Sequence, residues 1–195
     1  MLYSFDDLAL KFQNYIDTKG KIRREIQSGK LVPVARGLYE SERNIPGKYL
    51  AGRIYGPSYL SFEYALYVYS LIPEAVHRTY TSATFQKRRS KKYYNDFGSF
   101  LYRDVPAKVY PLGIVLHEEN GYSYQIATPE KALCDELYSL SPVRSISELK
   151  ALLFEDLRLD EHEFLKLNMA DLQELAPLYR SANLKFLNKL IERIR

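Results

Sequence analysis

The chain changes character sharply at Thr128-Pro129-Glu130. Before that point, residues 75–127 are rich in aromatic and β-branched side chains, in segments such as "VHRTYTSATF", "GSFLYRDVP", "LGIVLHE" and "YSYQIAT". Such residues suit a pleated, half-buried surface. The turn "EENGY" joins the last two segments, so a small antiparallel sheet is expected over 75–127. At the boundary itself, Thr128 is a cap, Pro129 suits the first helical position, and Glu130 faces the positive end of the helix dipole. The remainder then reads as helices over 129–140, 146–156, 160–167, 170–180 and 183–194.

The N-terminal stretch follows a different order. Ser4 caps a helix whose first turn carries Asp6 and Asp7. Phe5, Leu8, Ala9, Phe12 and Ile16 recur at helical spacing, which predicts one buried face. A second helix runs from Asp17 or Thr18 to Gln27, with Ile22 and Ile26 as its buried stripe and Gly29 as its stop. "KLVPV" is a strand that Pro33 marks as an edge, "ARG" turns, and "LYE" returns. The loop "ERNIPG" separates a module over 1–44 from a larger domain over 45–195. Two further helices, Lys48–Tyr55 and Ser58–Leu71, precede the sheet. The expected class is α+β. A small winged-helix-like module is followed by a larger domain of antiparallel sheet plus helices, ending in a helical tail. Only two helices fit before the wing, one fewer than the usual module. The basic end "LKFLNKLIERIR" is the candidate for the third.

Charge is segregated along the chain. Residues 77–108 carry eight Lys/Arg and two Asp/Glu, a net of +6. Residues 109–179 carry five and thirteen, a net of −8, and 180–195 return to +4. Such asymmetry fits either an anionic partner or a basic face lying on an acidic one within the molecule. No apolar run approaches the ~20 residues of a membrane span. The opening "MLYSFDDLALKFQ" has no signal-peptide pattern, so a cytoplasmic protein is expected. Cys134 is the single cysteine, which leaves no internal disulfide and no cysteine-based zinc site. His77, His117 and His162 show no ligand spacing, so no metal and no cofactor are expected.

Two basic groups are candidates for nucleic-acid contact. Lys19, Lys21, Arg23 and Arg24 cover the second helix, followed by Lys30 and by Arg36 at the hairpin tip. In a helix-turn-helix the second helix enters the major groove, and an arginine fork on guanine contributes ~1–3 kcal/mol of discrimination. Lysine mainly positions the protein on phosphate. The bland reading is a solvated basic helix. Lys87, Arg88, Arg89, Lys91 and Lys92 form the second group, interleaved with Phe85, Tyr93 and Tyr94. That mixture suits single strands or a secondary backbone contact, or else an exposed loop facing the acidic tail.

The carboxylates offer little chemistry, so no enzyme is expected. Glu130 and Asp135 lie well off a common helical face, while Lys131 and Asp135 are four apart and can pair. Their helix is read as burying Leu133, Leu137 and Leu140 while pairing its charges at the surface. "LDEHEF" reads as a solvated first helical turn rather than a metal site. Cys134 reads as a buried, inert thiol. The tyrosines at 55, 59, 64, 67 and 69 suit either a core boundary or a protein interface.

The ordered blocks "GKLVPVARGLYE", "SYLSFEYALYVYSLIPE", "TYTSATFQKRRSKKY", "GSFLYRDVP" and "IATPEKALCDELYSL" resemble the AbiEi family over roughly residues 18–140. The segment Ile126 to Leu133, with Asp135 after it, carries most of the likeness. The resemblance implies an antitoxin and transcriptional autoregulator of a type IV toxin–antitoxin operon. It implies a winged helix on double-stranded DNA of its own promoter, and a C-terminal antitoxin domain. It also implies a functionally paired nucleotidyltransferase-like toxin that need not be bound directly, and it allows a homodimer. The rival reading is a protein-interaction module that neutralises a toxin or other partner without touching DNA.

Overall fold

The computed structural model describes residues 1–73 and 77–194. The expected sheet start at residues 75 and 76 therefore lies outside the described residues, as does Arg195. The chain is α+β, with two sheets and a helical C-terminal segment.

The N-terminal unit contains strand β1 (Leu2–Ser4), helices α1 (Phe5–Lys11) and α2 (Thr18–Gln27), and the hairpin β2 (Val32–Ala35) and β3 (Leu38–Glu40). Ser4 closes a full capping box. Its hydroxyl accepts from the Asp7 amide at 3.1 Å, and its own amide donates to the Asp7 carboxylate at 2.7 Å. Ser4→Ala is expected to cost this unit about 1 kcal/mol, read as a lower urea midpoint at unchanged slope.

Sequence reading missed β1, whose three residues are too few for a period. It pairs antiparallel with β3, and the sheet order is β1-β3-β2. Pro33 does lie on an edge strand, as expected. The expectation for Ile16 fails: α1 ends at Lys11, and Ile16 is fully exposed beyond it, beside exposed Leu10 and Tyr15. The helical period continues past the helix itself.

Leu8, Ile22 and Leu31 form a small core, with Phe5, Phe12, Ile26 and Tyr39 against it. The other face of the hairpin turns inward. Val32 and Val34 belong to the main core, and Asn95 donates to the Val34 carbonyl at 2.8 Å.

The second sheet has β4 (Tyr59–Leu60), β5 (Thr79–Thr84), β6 (Lys91–Asn95), β7 (Gly98–Asp104), β8 (Ile114–Glu119) and β9 (Tyr122–Ala127), in the order β6-β7-β5-β4-β9-β8. It is mixed rather than wholly antiparallel, because β5 runs parallel to β7 and β4 parallel to β9. Strand β4 enters the centre from a segment read as helix, and this places β9 beside it. The expected turn is present at Asn120-Gly121, where both residues have positive φ, as a primed hairpin turn requires.

Each face of this sheet has its own cover. On one side a 3-10 turn (Gly47–Tyr49) and α3 (Ala51–Ile54) meet the strands. The Gly47 amide donates to the Tyr80 hydroxyl at 2.9 Å, and the Tyr102 hydroxyl donates to the Ala51 carbonyl at 2.7 Å. On the other side lie α4 (Phe62–Val68) and α5 (Pro129–Ser139). The tail continues with α6 (Ile146–Ala151), a π turn (Leu152–Asp156), α7 (Glu161–Leu165), α8 (Met169–Leu175), a 3-10 turn (Ala176–Tyr179) and α9 (Ala182–Ile194). Thr128, Ser145, Asp160 and Asn168 cap α5, α6, α7 and α8 with their side chains.

Candidate nucleic-acid interface

The basic helix and the hairpin tip form one surface. Lys19 and Arg36 both line a cleft of about 590 Å³ between α2 and the hairpin, whose floor includes Phe5, Ile22 and Tyr39. The tip is held in place. Gly37 has a φ of +74°, and its carbonyl accepts from the Phe5 amide at 2.8 Å. Arg23, Arg24 and Lys30 stand exposed nearby along the chain. None of Lys19, Arg23, Arg24, Lys30 and Arg36 has an ion pair among the described residues. Their charge is therefore not neutralised by a carboxylate contact, which favours an anionic partner.

Lys21 differs. It pairs with Glu25 at 2.6 Å and lies over the Phe12 and Tyr15 rings. The hydrogen bond to Glu25 holds its ammonium above the usual lysine range. Of the six residues singled out on this module, Lys21 is the one drawn into local contacts.

No protein-family model and no curated protein matches this chain. The reading of the surface thus rests on its geometry and on the sequence.

The second basic group forms the loop between β5 and β6 and the start of β6. Arg88, Arg89 and Lys92 are exposed, and Lys87 and Lys91 are half-buried. Lys87 donates to the Gly56 carbonyl at 3.1 Å and covers the Tyr55 ring. Asp104 fixes the loop by accepting from the Arg88 amide at 2.6 Å, which leaves the Arg88 guanidinium at the surface. Strand β6 joins this loop to the hairpin contact at Asn95, four residues and about 13 Å further on. The tail helix α9 packs with α5, α6 and α8, and its leucines lie in the main core. It therefore does not join the N-terminal unit as the third helix that was expected.

Helix α5 overturns the expectation of surface charges. Lys131 and Asp135 do pair, at 2.7 Å, but both are 0% exposed. Asp135 also accepts from the hydroxyls of Tyr59 at 2.9 Å, Ser61 at 2.7 Å and Tyr179 at 2.6 Å. Every partner is satisfied, as a buried pair requires. Burial pulls the Lys131 ammonium below the usual lysine range, against the Asp135 charge. No local signal marks this burial, because the hydroxyls that close over the pair come from Tyr59, Ser61 and Tyr179, all distant in sequence. Cys134 is buried, as expected, and burial pushes its thiol up.

Beside this network, Arg103 bridges Glu63 and Glu136 and donates to the Ser139 hydroxyl at 3.0 Å. Burial, then the nearby Glu63 charge, pushes the Glu136 carboxyl up to about 7 from an ordinary 4.5. Between those values the folded chain binds more protons than the unfolded one, so stability falls as pH rises through the window. The loss is on the order of 3 kcal/mol and is complete above the folded value. Glu136→Gln should remove that slope, seen as parent and variant urea midpoints that differ between pH 5 and pH 8.

The His162 segment is the exposed first turn that was expected. Ligand atoms of Asp160, His162 and Glu163 lie within 4.8 Å of one another. Asp160 is occupied capping α7, however, and Glu163 pairs with Lys166 at 2.7 Å. No helix among the described residues is long and apolar enough to cross a membrane.

Proposed function

We propose that this chain is a DNA-binding antitoxin and autoregulator of the AbiEi type. Helix α2 meets the major groove, and the β2–β3 hairpin acts as the wing. One observation carries the reading: Lys19 and Arg36 share the cleft between helix and hairpin, and the neighbouring cations lack carboxylate partners. Arg23 and Arg24 read base edges or phosphate, while Lys19, Lys30 and Arg36 hold the backbone. The loop from Lys87 to Lys92 supplies an auxiliary backbone contact. The toxin of the same operon is functionally paired rather than necessarily bound, no catalytic step is assigned to this chain, and it acts in the cytoplasm.

A second reading has its own observation. Leu10 near the end of α1, and Tyr15 and Ile16 in the link to α2, are exposed apolar residues, which suits a protein contact. In the DNA-binding reading that contact is a second copy of the chain, giving the homodimer. In the rival reading it is the neutralised partner.

The test is a shift assay with labelled duplex from upstream of the chain's own gene, against scrambled duplex, at two salt concentrations. Preferential, salt-sensitive binding is the expected result. Equal weak binding to both duplexes would sink the autoregulator reading and favour the protein-contact one.

A further inference from the structure

The six-stranded sheet ends in two strands of opposite charge. Strand β6 carries Lys91 and Lys92, and β8, at the far end of the sheet, carries Glu118 and Glu119. Among the described residues, no backbone group of 91–94 or 114–119 forms a hydrogen bond outside its own ladder. Each outer edge therefore presents unpaired N–H and C=O groups. The exposed large apolar side chains of this sheet lie on the same edges. Tyr94 is 71% exposed on β6, and Leu116 is 60% exposed on β8.

Direction and face decide what these edges can meet. Through the pairings between them, β6 and β8 run antiparallel to each other. A second copy that continues the sheet therefore sets its β8 antiparallel against β6 of the first. Lys91 stands on the α3 face, because its partner in register, Tyr102, reaches the Ala51 carbonyl there. Glu119 stands on the same face, where it pairs with Lys48 of the 3-10 turn at 2.6 Å. Lys92, Tyr94, Leu116 and Glu118 then alternate onto the α5 face. One register joins Lys91 with Glu119, Lys92 with Glu118 and Tyr94 with Leu116, each pair on a single face. A slip by two residues, the smallest that keeps the faces, parts both Lys–Glu pairs. Lys91, Lys92 and Glu118 have no ion pair among the described residues to compete with these.

We propose that this chain assembles head to tail, by adding β8 of one copy to β6 of the next. Charged residues on an edge strand ordinarily deter pairing. Here the two edges differ in sign, so the charges that repel a like edge attract the opposite one. The contact joins two different patches, so each added copy leaves a new edge open and growth does not stop at a dimer. A self-matching contact elsewhere on the chain would stop there.

Sedimentation of the full chain without DNA tests this, across a wide concentration range and at low and high salt. The parent's mean mass should rise with concentration past that of a dimer, and rise less at high salt, which screens exposed charges. Lys92→Glu and Glu118→Lys should each weaken association by about tenfold, since an attracting pair becomes a repelling one. An equimolar mixture of the two variants restores opposite charges at both kinds of junction and should associate like the parent. Both positions are exposed, and circular dichroism checks that the variants keep their fold. A parent that stays monomeric or stops at a dimer would overturn the proposal and leave these edges to a strand of another protein. So would variants that associate like the parent, or a mixture that associates no better than either variant alone. No duplex is present, so failure here leaves the shift assay unaffected.

Discussion

Asp135→Ala should lower the unfolding free energy by about 3–5 kcal/mol, the range for removing one partner of a buried pair. The change strands the Lys131 ammonium in the core and takes the shared acceptor from Tyr59, Ser61 and Tyr179. A typical domain has about 5–15 kcal/mol in all, so this one carboxylate accounts for a large share of the total. Equilibrium urea unfolding measures the effect. Lys131→Met/Asp135→Leu is the informative companion. It leaves no buried charge and should recover a good part of the loss. It will not recover all, because each hydroxyl left without a partner costs about 1–3 kcal/mol. A midpoint for Asp135→Ala within experimental error of the parent would mean that this carboxylate is hydrated rather than buried.

Arg23→Ala/Arg24→Ala should weaken binding to the chain's own upstream duplex by roughly 30-fold or more, at about 1–3 kcal/mol per base-reading arginine. The salt response separates the two roles of these residues. If Lys19, Arg23, Arg24, Lys30 and Arg36 all meet phosphate, the slope of log affinity against log salt is near −4.5, at about 0.9 per contact. Phosphate contacts by the two arginines would make that slope shallower by about 2. Base contacts would leave the slope nearly unchanged and erase the preference over scrambled duplex. Lys21→Ala serves as a control, because Lys21 is already engaged by Glu25, Phe12 and Tyr15. A double arginine variant that binds like the parent would remove α2 from the interface.

Most of the fold was legible where local chemistry decides it. The helix after the sheet announces itself through Thr128-Pro129, where the Thr128 hydroxyl satisfies a free amide at its start, and the tail helices follow from their apolar period. The hairpin turns at Gly37 and Asn120-Gly121 need residues that tolerate positive φ, and the sequence supplies them. What was not legible depends on distant partners. Tyr59-Leu60 is a strand only because β5 and β9 flank it, and two residues carry no period. The parallel pairings likewise have no local signature. Lys131 and Asp135 look like any surface pair until Tyr59, Ser61 and Tyr179 close over them. At the candidate interface, the cations were plain in the sequence. The cleft that unites Lys19 with Arg36 was not, nor was the diversion of Lys21 into local contacts.

The hairpin packing has a thermodynamic consequence. Val32 and Val34 are part of the main core, and Asn95 donates to the Val34 carbonyl. The hairpin therefore draws much of its stability from the body of the protein. A fragment ending near residue 44 would bare that apolar stripe to water and would lose cooperativity rather than stand alone. The same linkage lets damage travel. A lesion at Asp135, on another layer of the molecule, should melt the hairpin in the same transition as the core, and a remote mutation would then score as a defect of the N-terminal unit.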